Sequence, residues 1–178
     1  MEPRIASLQP LCRGKRFTFA QAVVEYAGRR FRRDLLLHPG AVVILPLLGD
    51  KTIMLRQWRP GCSCWLHELP AGTIEEGEDP AETAARELEE ETGYRATRIE
   101  HLASFYTSPG TSTEKIHAYI ADGLVKTRQR LEEDEIIRLE IIPLKEAVRM
   151  AVNGEIEDAK TITTLLLYAA RTGLLTEL

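Results

Sequence analysis

Residues 72–94 read GTIEEGEDPAETAARELEEETGY, and this stretch decides more about the fold and the chemistry than any other part of the chain. Asp79 followed by Pro80 is typical of a helix start, because an aspartate can cap the first turn and proline fits its first position. Gly93 is typical of a helix end, where glycine adopts a left-handed conformation easily. The stretch therefore predicts one helix preceded by an acidic loop.

The predicted helix carries an unusual concentration of carboxylates. Successive helical residues rotate by about 100°, so Glu87, Glu90 and Glu91 fall within roughly one 100° sector, while Glu89 lies on the opposite side. Like charges at such spacings destabilise a helix. One interpretation is a solvated acidic face, as in most acidic runs. The other is a site for a hard divalent ion such as Mg²⁺ or Mn²⁺, which oxygen ligands suit.

The spacing of this stretch resembles the Nudix box without a departure. Gly72 is followed after five residues by Glu78, and after seven more by residues 86–94, which read RELEEETGY. The resemblance implies a hydrolase of nucleoside diphosphates linked to another moiety. It also implies an α/β fold, an α/β/α sandwich with a mixed β-sheet and an N-terminal β-strand extension.

The resemblance implies roles for the box residues as well. Glu87 and Glu91 are expected to be the chief metal ligands, Glu90 a further ligand with a catalytic part, and the carbonyl of Ala71 a backbone ligand. The expected metal is Mg²⁺, with Mn²⁺ as an alternative, because dications offset the charge of a pyrophosphate and activate the attacking water. The positions expected to be structural are Gly72, Glu78, Arg86 and Gly93.

Segments outside the box resemble the ADP-ribose pyrophosphatase branch of the family. They are residues 56–59 (RQWR), 67–72 (HELPAG), 108–110 (SPG), 113–116 (TEKI) and 153–161 (NGEIEDAKT). The resemblance covers about residues 41–170 and implies hydrolysis of ADP-ribose to AMP and ribose 5-phosphate. Another nucleoside diphosphate sugar, GDP-mannose or UDP-glucose, is an alternative substrate. A non-catalytic nucleotide-sugar sensor is a further alternative, which the intact box disfavours.

The catalytic base is expected in an acidic loop, residues 131–136 (LEEDEI). In the ADP-ribose branch such a loop provides one glutamate that activates water and another that touches metal. Matching the loop by its run into the next strand gives Glu133 as the base and Glu135 as the metal ligand. A slip of one or two residues would make Glu132 or Glu135 the base instead. A plain solvated loop also remains open.

The resemblance implies that four residues contact substrate. Arg59 suits a phosphate, because a guanidinium can bind two of its oxygens. Glu68 and Glu114 occupy positions that can hold ribose hydroxyls or position ligands, and Gly110 follows the proline of the SPG segment. Three aromatic residues could stack on adenine or belong to the core: Trp58, Trp65 and Phe105.

Composition sets the remaining limits. With 178 residues, 44% of them hydrophobic, and a net charge of −4, the chain suits one globular domain with a small appendage and no nucleic-acid partner. No apolar run reaches the 18 or so residues of a membrane span, and the first residues do not resemble a signal peptide, so a cytoplasmic protein is expected. The three cysteines are expected to be reduced thiols, with a Cys62–Cys64 redox pair as the less favoured alternative.

Hydrophobic patterns and turn residues predict the remaining elements. Strands are predicted at residues 16–26, 30–37, 41–48, 51–58, 99–106, 115–121 and 136–142, and helices at 144–152 and 158–171. Ala27-Gly28 is the predicted turn between the first two strands. Residues 1–40 form the expected N-terminal β extension and residues 41–178 the expected Nudix domain. By resemblance, the extension joins two copies of the chain in a homodimer.

Overall fold

The computed structural model describes residues 2–177, which form two compact units. The first unit contains the chain up to Gly40 together with Phe105–Lys115, and the second contains Ala41–Ser104 and the residues from Ile116 onward. The division into domains at residue 40 remains a prediction, since the first unit also takes in a segment from the middle of the chain.

The first unit is built on a three-stranded antiparallel sheet, β1 Arg4–Arg13, β2 Thr18–Tyr26 and β3 Arg29–Leu37, in the order β1-β2-β3. The turn between β2 and β3 has positive φ at both central residues, 50° at Ala27 and 75° at Gly28. Such turns match the twist of the strands they join. The predicted Ala-Gly turn is confirmed.

The sequence predicted only two strands in this region and missed β1. This strand contains Pro10 and no run of β-branched residues, so its strand signal is weak. β1 lies at the edge of its sheet, the place where proline is tolerated because no ladder hydrogen bond is lost on the open side.

The strands after Gly40 are β4 Ala41–Leu48, β5 Lys51–Arg59, β6 Cys64–Glu68, β7 Ala71–Thr73, β8 Tyr94–Arg95, β9 Arg98–Tyr106, β10 Lys115–Asp122, β11 Val125–Lys126 and β12 Ile137–Pro143. A seven-stranded sheet has the order β12-β5-β4-β10-β9, with β6 on β5 and β7 on β4. β4 and β10 run parallel, whereas β5 is antiparallel to both β4 and β12. The predicted mixed sheet is confirmed.

Helices cover the central strand on both faces. Residues 41–46 of β4 are all buried, which requires packing on each side of the strand. Helix α1, Pro80–Thr92, places Leu88 against Val42 and Ile44, and each such fully buried side chain contributes about 1.5–3 kcal/mol. Helix α3, Ala159–Thr172, also contacts β4 and packs on α2, Leu144–Val152. A short 3₁₀ helix, Leu174–Glu177, follows.

The ends of α1 are those that the sequence predicted. The side chain of Asp79 accepts a hydrogen bond of 2.8 Å from the N–H of Ala81, and Pro80 occupies the first turn. At the other end Gly93 has a φ of 71°, and its N–H donates to the carbonyl of Glu89. These caps fix which residues of the acidic run face inward.

Most of the other predicted elements match the structure to within two residues. The sequence missed β6, β7 and the two-residue strands β8 and β11, because elements of two to five residues carry too little pattern to distinguish them from loops. Within residues 2–177, none of the helices is long and apolar enough to cross a membrane.

Candidate metal and substrate site

One arginine of α1 collects three carboxylates, and these four residues, Glu78, Arg86, Glu87 and Glu90, are called the Arg86 cluster below. Nε and Nη2 of Arg86 donate to the two carboxylate oxygens of Glu78 at 3.0 and 3.1 Å. Nη1 donates to Oε1 of Glu87 at 2.8 Å and to Oε2 of Glu90 at 3.1 Å. The hydrogen bonds from Arg86 lower the pKa of Glu78 to about 2. The cluster therefore ties the loop that precedes α1 to the helix.

Glu91 is the most deeply buried carboxylate of the helix. Its side chain belongs to a residue that is 2% exposed, and its Oε2 accepts a hydrogen bond of 2.8 Å from the N–H of Ala71. Burial raises the pKa of Glu91 well above its ordinary value against this hydrogen bond, and the charges of Glu87 and Glu135 raise it further. A buried carboxylate in such surroundings is stabilised by a cation.

Glu87 lies directly against the backbone of β7. A Cβ atom added to Gly72 would stand 2.0 Å from the carboxylate carbon and from Oε1 of Glu87, so a side chain at this position would displace that carboxylate. Burial also raises the pKa of Glu87, and the charges of Glu90 and Glu135 add to that effect against the opposing charge of Arg86. The close approach gives Gly72 a physical role, because glycine leaves the carboxylate of Glu87 in its place.

These carboxylates suit a hard divalent cation by their chemistry. Oxygen donors that are buried and mutually repulsive gain most from a positive charge. Within the described part of the chain, no three acidic, histidine or cysteine side chains converge as a ready metal-binding group. Glu87 and Glu90 each give one oxygen to Arg86, so gathering these side chains around an ion requires them to rotate.

The segment before the loop of residues 131–136 is hydrogen-bonded to the end of α1. The side-chain amide of Gln129 donates to the carbonyl of Glu91 at 2.6 Å, and the N–H of Arg130 donates to the carbonyl of Glu90 at 2.8 Å. Carbonyls in the last turn of a helix need such external donors. No pattern in the sequence indicates Gln129, whose amide has no distinguishing spacing. Its effect is to fix where the loop of residues 131–136 begins.

Two glutamates of the acidic loop have different environments. Glu135 is half-buried, and its Oε2 accepts a hydrogen bond of 2.9 Å from the N–H of Glu132. Its charge contributes to the raised pKa values of Glu87 and Glu91, so it lies near the carboxylates of α1. Glu133 is exposed. The structure thus places Glu135 near the carboxylates of Glu87 and Glu91 and leaves Glu133 exposed to solvent.

A second group of charges lies at the ends of β5 and β6 and at the start of α3. It is called the Arg59 cluster below and comprises Arg59, Glu68, Asp158 and Lys160. Nε and Nη2 of Arg59 donate to the two oxygens of Glu68, both at 2.7 Å. The ammonium of Lys160 donates to Oε2 of Glu68 and, at 2.8 Å, to Oδ1 of Asp158. The predicted substrate residues Arg59 and Glu68 therefore lie together.

Glu68 is buried but ionised. Its residue is 1% exposed, and burial alone would raise its pKa. The hydrogen bonds and charges of Arg59 and Lys160 outweigh burial, so that the pKa of Glu68 lies below its ordinary value. No residue pattern predicted individual roles for Asp158 and Lys160. Their signal was the segment of residues 153–161, which resembles the ADP-ribose branch as a whole.

The turn after Arg59 contains a disulfide between Cys62 and Cys64. The sequence favoured reduced thiols at both positions, since cysteines are usually reduced in a protein expected to be cytoplasmic. Ser63 between them adopts a φ of 53°, which turns the backbone tightly enough to bring the two side chains together. Cys12 is a free, exposed thiol.

The other two predicted substrate residues belong to the first unit. Oε2 of Glu114 accepts a hydrogen bond of 2.6 Å from the hydroxyl of Thr107, and Nε2 of His38 lies 3.7 Å from its Oε1. Gly110 is exposed, in a turn in which the N–H of Thr111 donates to the carbonyl of Ser108 at 3.0 Å. Their roles toward a substrate remain predictions.

Comparisons with known proteins agree with this architecture. Residues 37–165 match the NUDIX domain, and the chain belongs to the NUDIX family. It is 39% identical over 137 residues to an ADP-ribose pyrophosphatase of Bacillus subtilis (strain 168), a match that covers 75% of this chain and 74% of that protein. It is 43% identical over 138 residues to a methanol dehydrogenase activator of Bacillus methanolicus, covering 76% and 75%. A crystal structure of an ADP compounds hydrolase shares the fold with a TM-score of 0.83 and 24% identity, over 99% of this chain and 96% of that one.

Proposed function

We propose that the protein is a Nudix pyrophosphohydrolase that cleaves ADP-ribose to AMP and ribose 5-phosphate, with Mg²⁺ as its metal. The observation that carries the proposal is that the second unit contains two features together. One is a set of carboxylates around the buried Glu91, and the other is Arg59, which is held in place by Glu68. The first suits a dication and the second suits a phosphate. The name of the Bacillus subtilis relative supports ADP-ribose as the substrate.

The metal would be held by carboxylates of α1 and of the loop of residues 131–136. The proposed ligands are Glu87, Glu90, Glu91, Glu135 and the carbonyl of Ala71. Bound there, Mg²⁺ would offset the negative charge that grows on the pyrophosphate as its bridging bond breaks. Mn²⁺ is an alternative, since it prefers the same oxygen ligands.

Glu133 is the proposed general base. As water adds to a phosphorus, its proton passes to the Glu133 carboxylate, the P–O bond to the bridging oxygen breaks, and the second phosphate leaves. Its exposure leaves this carboxylate able to approach a bound substrate, while Gln129 and Arg130 fasten the base of its loop. Glu132 and Glu135 are the alternatives.

Single substitutions separate these candidates. The base, when changed to glutamine, should lose about 10²- to 10⁴-fold in kcat at unchanged KM, because the proton has no acceptor. We expect this of Glu133→Gln, while Glu132→Gln stays within about threefold of the wild type. Full activity of Glu133→Gln would remove it as the base, and loss of activity in Glu132→Gln would identify Glu132 as the base instead.

Arg59 is proposed to bind a substrate phosphate. Its pair with Glu68 uses two of the five guanidinium N–H groups and leaves three for a ligand. Glu68 then serves to orient Arg59, since its own two oxygens face Arg59 and Lys160. Glu114 and Gly110 are proposed as further substrate contacts.

The direct test is an assay of the purified protein with ADP-ribose and Mg²⁺, in which AMP is measured by chromatography. GDP-mannose and UDP-glucose are assayed beside it, and the variant Glu91→Gln serves as a control for contaminating hydrolases. We expect AMP to form at a rate that the variant does not reach. Saturable binding of ADP-ribose without AMP would identify a sensor, and faster cleavage of another sugar nucleotide would replace the substrate.

Activation of another enzyme is a second candidate, favoured by the relative from Bacillus methanolicus. The measurement is the rate of methanol oxidation by a methanol dehydrogenase with and without this protein. A rate increase that Glu91→Gln also gives would show an effect independent of hydrolysis. A rate unchanged by the wild type would eliminate this candidate.

We further propose that the protein is a homodimer joined through its N-terminal strands. β1 exposes three large apolar side chains, Ile5 at 59%, Leu8 at 45% and Leu11 at 51%, more than a solvated edge strand needs. Sedimentation equilibrium should give twice the chain mass. A variant with Leu8→Glu and Leu11→Glu should sediment as a monomer, and a monomeric wild type would refute the proposal. A cytoplasmic location stays a prediction.

A further inference from the structure

The start of α3 is bonded to the strand segment that leads into the box. Asp158 caps the helix, and its Oδ2 accepts hydrogen bonds from the N–H of Thr161 at 3.0 Å and from its hydroxyl at 2.6 Å. That hydroxyl, in a fully buried residue, accepts a bond of 2.9 Å from the N–H of Leu69. The residue after Glu68 is thus held by Thr161, a residue of α3 that lies 92 positions later in the chain.

Lys160 reaches from this helix start into the Arg59 cluster. Its side chain is 16% exposed, and its ammonium lies between the carboxylates of Glu68 and Asp158. A lysine is rarely buried to this extent unless it is paired. Lys160 therefore connects the capped end of α3 to the carboxylate that binds Arg59.

Glu68 depends on both of its cationic neighbours. Among the described residues, its Oε1 accepts a hydrogen bond from Arg59 alone, whereas its Oε2 is shared between Nη2 of Arg59 and the ammonium of Lys160. Without Lys160, the bidentate pair of Arg59 and Glu68 would be free to pivot as one body, because one bonded partner fixes a carboxylate less firmly than two. The direction of the remaining Arg59 donors would then vary.

Charge balance leads to the same result. With Lys160 present, two cations face two carboxylates in the Arg59 cluster. Without it, two carboxylates face the single cation Arg59, and the cluster would repel an anionic ligand. Lys160 thus affects both the direction of the guanidinium and the sign of its surroundings.

We propose that Lys160 is a positioning residue for substrate. By fixing Glu68 and balancing its charge, it holds Arg59 so that the three unused N–H groups of the guanidinium meet a phosphate of a nucleoside diphosphate. The identity of that ligand rests on the proposed function, whereas the effect of Lys160 on Arg59 does not.

The kinetic test compares Lys160→Met with Lys51→Met, which removes the same charge from an exposed residue of β5. With ADP-ribose and Mg²⁺, we expect Lys160→Met to raise KM about tenfold and to change kcat by less than about threefold, since binding energy is lost equally in the ground and transition states. Lys160→Arg should return KM to within about threefold of the wild type. The control Lys51→Met should have the same KM as the wild type. An unchanged KM in Lys160→Met, or a lower kcat alone, would overturn the proposal.

A spectroscopic test does not depend on turnover. In protein labelled with ¹⁵N-arginine, the Arg59 Nε–H signal is assigned by its loss in Arg59→Lys. We expect its hydrogen exchange to be at least about tenfold faster in Lys160→Met than in the wild type and unchanged in Lys51→Met. Equal exchange rates would refute the positioning role. Faster exchange in a protein that does not cleave ADP-ribose would refute the proposed function and leave this role standing. Lys160→Gln replaces Lys160→Met if circular dichroism shows that the latter does not fold.

Discussion

The Arg86 cluster and the Arg59 cluster both centre on an arginine that binds a glutamate through Nε and Nη2, yet they differ in charge. In the first, one guanidinium faces three carboxylates, Glu78, Glu87 and Glu90. In the second, two cations face two carboxylates. An excess of negative charge suits a metal ion, whereas a balanced cluster with spare guanidinium donors suits a phosphate. The count of charges thus distinguishes the proposed metal side of the site from its substrate side.

The clusters also differ in their origin along the chain and in their burial. All members of the Arg86 cluster come from residues 78–90, and its carboxylates keep 12–34% of their side-chain surface exposed. The Arg59 cluster joins residues from three separate segments around Glu68, whose side chain is 1% exposed. A buried carboxylate requires cations in direct contact, whereas a partly exposed carboxylate tolerates an excess of like charge because water solvates it.

The largest expected effect comes from Glu91, which interacts electrostatically with both Glu87 and Arg59. Glu91→Gln should lower kcat by about 10³-fold, because a buried charge that suits the dication is lost. Thermal unfolding of the metal-free protein should not occur at a lower temperature, since a neutral amide is easier to bury than a carboxylate.

The matched control is Glu89→Gln, on the opposite side of the helix, where Glu89 pairs with Arg95. We expect it to keep its activity within about twofold of the wild type. Near-normal activity of Glu91→Gln would show that Glu91 is not a metal ligand.

The second effect concerns the close approach of β7 to the Arg86 cluster. Gly72→Ala should displace the carboxylate of Glu87, since the new Cβ would lie 2.0 Å from it, and should lower kcat by about 10²-fold. Gly61→Ala is the control, because an added Cβ there meets nothing within 4 Å. The measurement is kcat as a function of Mg²⁺ concentration, and equal values for both variants would contradict the interpretation.

The third effect is a pH dependence of stability. Arg86 lowers the pKa of Glu78 from 4.5 to about 2, so Glu78 stabilises the folded state above pH 4.5, and this contribution is lost as the pH falls towards 2. Glu78→Gln should therefore reduce the free energy of unfolding by about 1 kcal/mol at pH 7, after allowance for solvent screening, and by nothing near pH 2.

Urea unfolding at several pH values measures this difference. Glu76→Gln, an exposed residue of the same loop, is the control and should have no effect at any of them. A difference between Glu78→Gln and the wild type that persists unchanged at pH 2 would mean that the ion pair with Arg86 is not its source.

The smallest effect concerns the turn beside the Arg59 cluster. Before reduction, one thiol, that of the exposed Cys12, should react with an alkylating reagent in the intact protein, and after reduction all three cysteines should react. Mass spectrometry counts the added groups. Three additions without reduction would show that Cys62 and Cys64 are thiols, as the sequence favoured.

The sequence predicted well where the signal is local. The ends of α1, the acidic face and the Ala-Gly turn depend on residues only a few positions apart, and the structure has each of them. β1 was missed because Pro10 hides an edge strand. Lys160 was missed because its partner Glu68 is 92 residues away, and no periodic pattern links residues at such a distance.

The sequence by itself determined that the chain contains an acidic helix with fixed ends and the spacing of the NUDIX family, because helix geometry converts spacing directly into a shared face. Only the tertiary structure decided that the backbone at Gly72 lies against the carboxylate of Glu87 and that Arg59 shares a buried carboxylate with Lys160. Both facts depend on segments brought together by packing in the core. Because Glu68 is buried, its charge must be balanced by cations in direct contact, and Arg59 and Lys160 provide them.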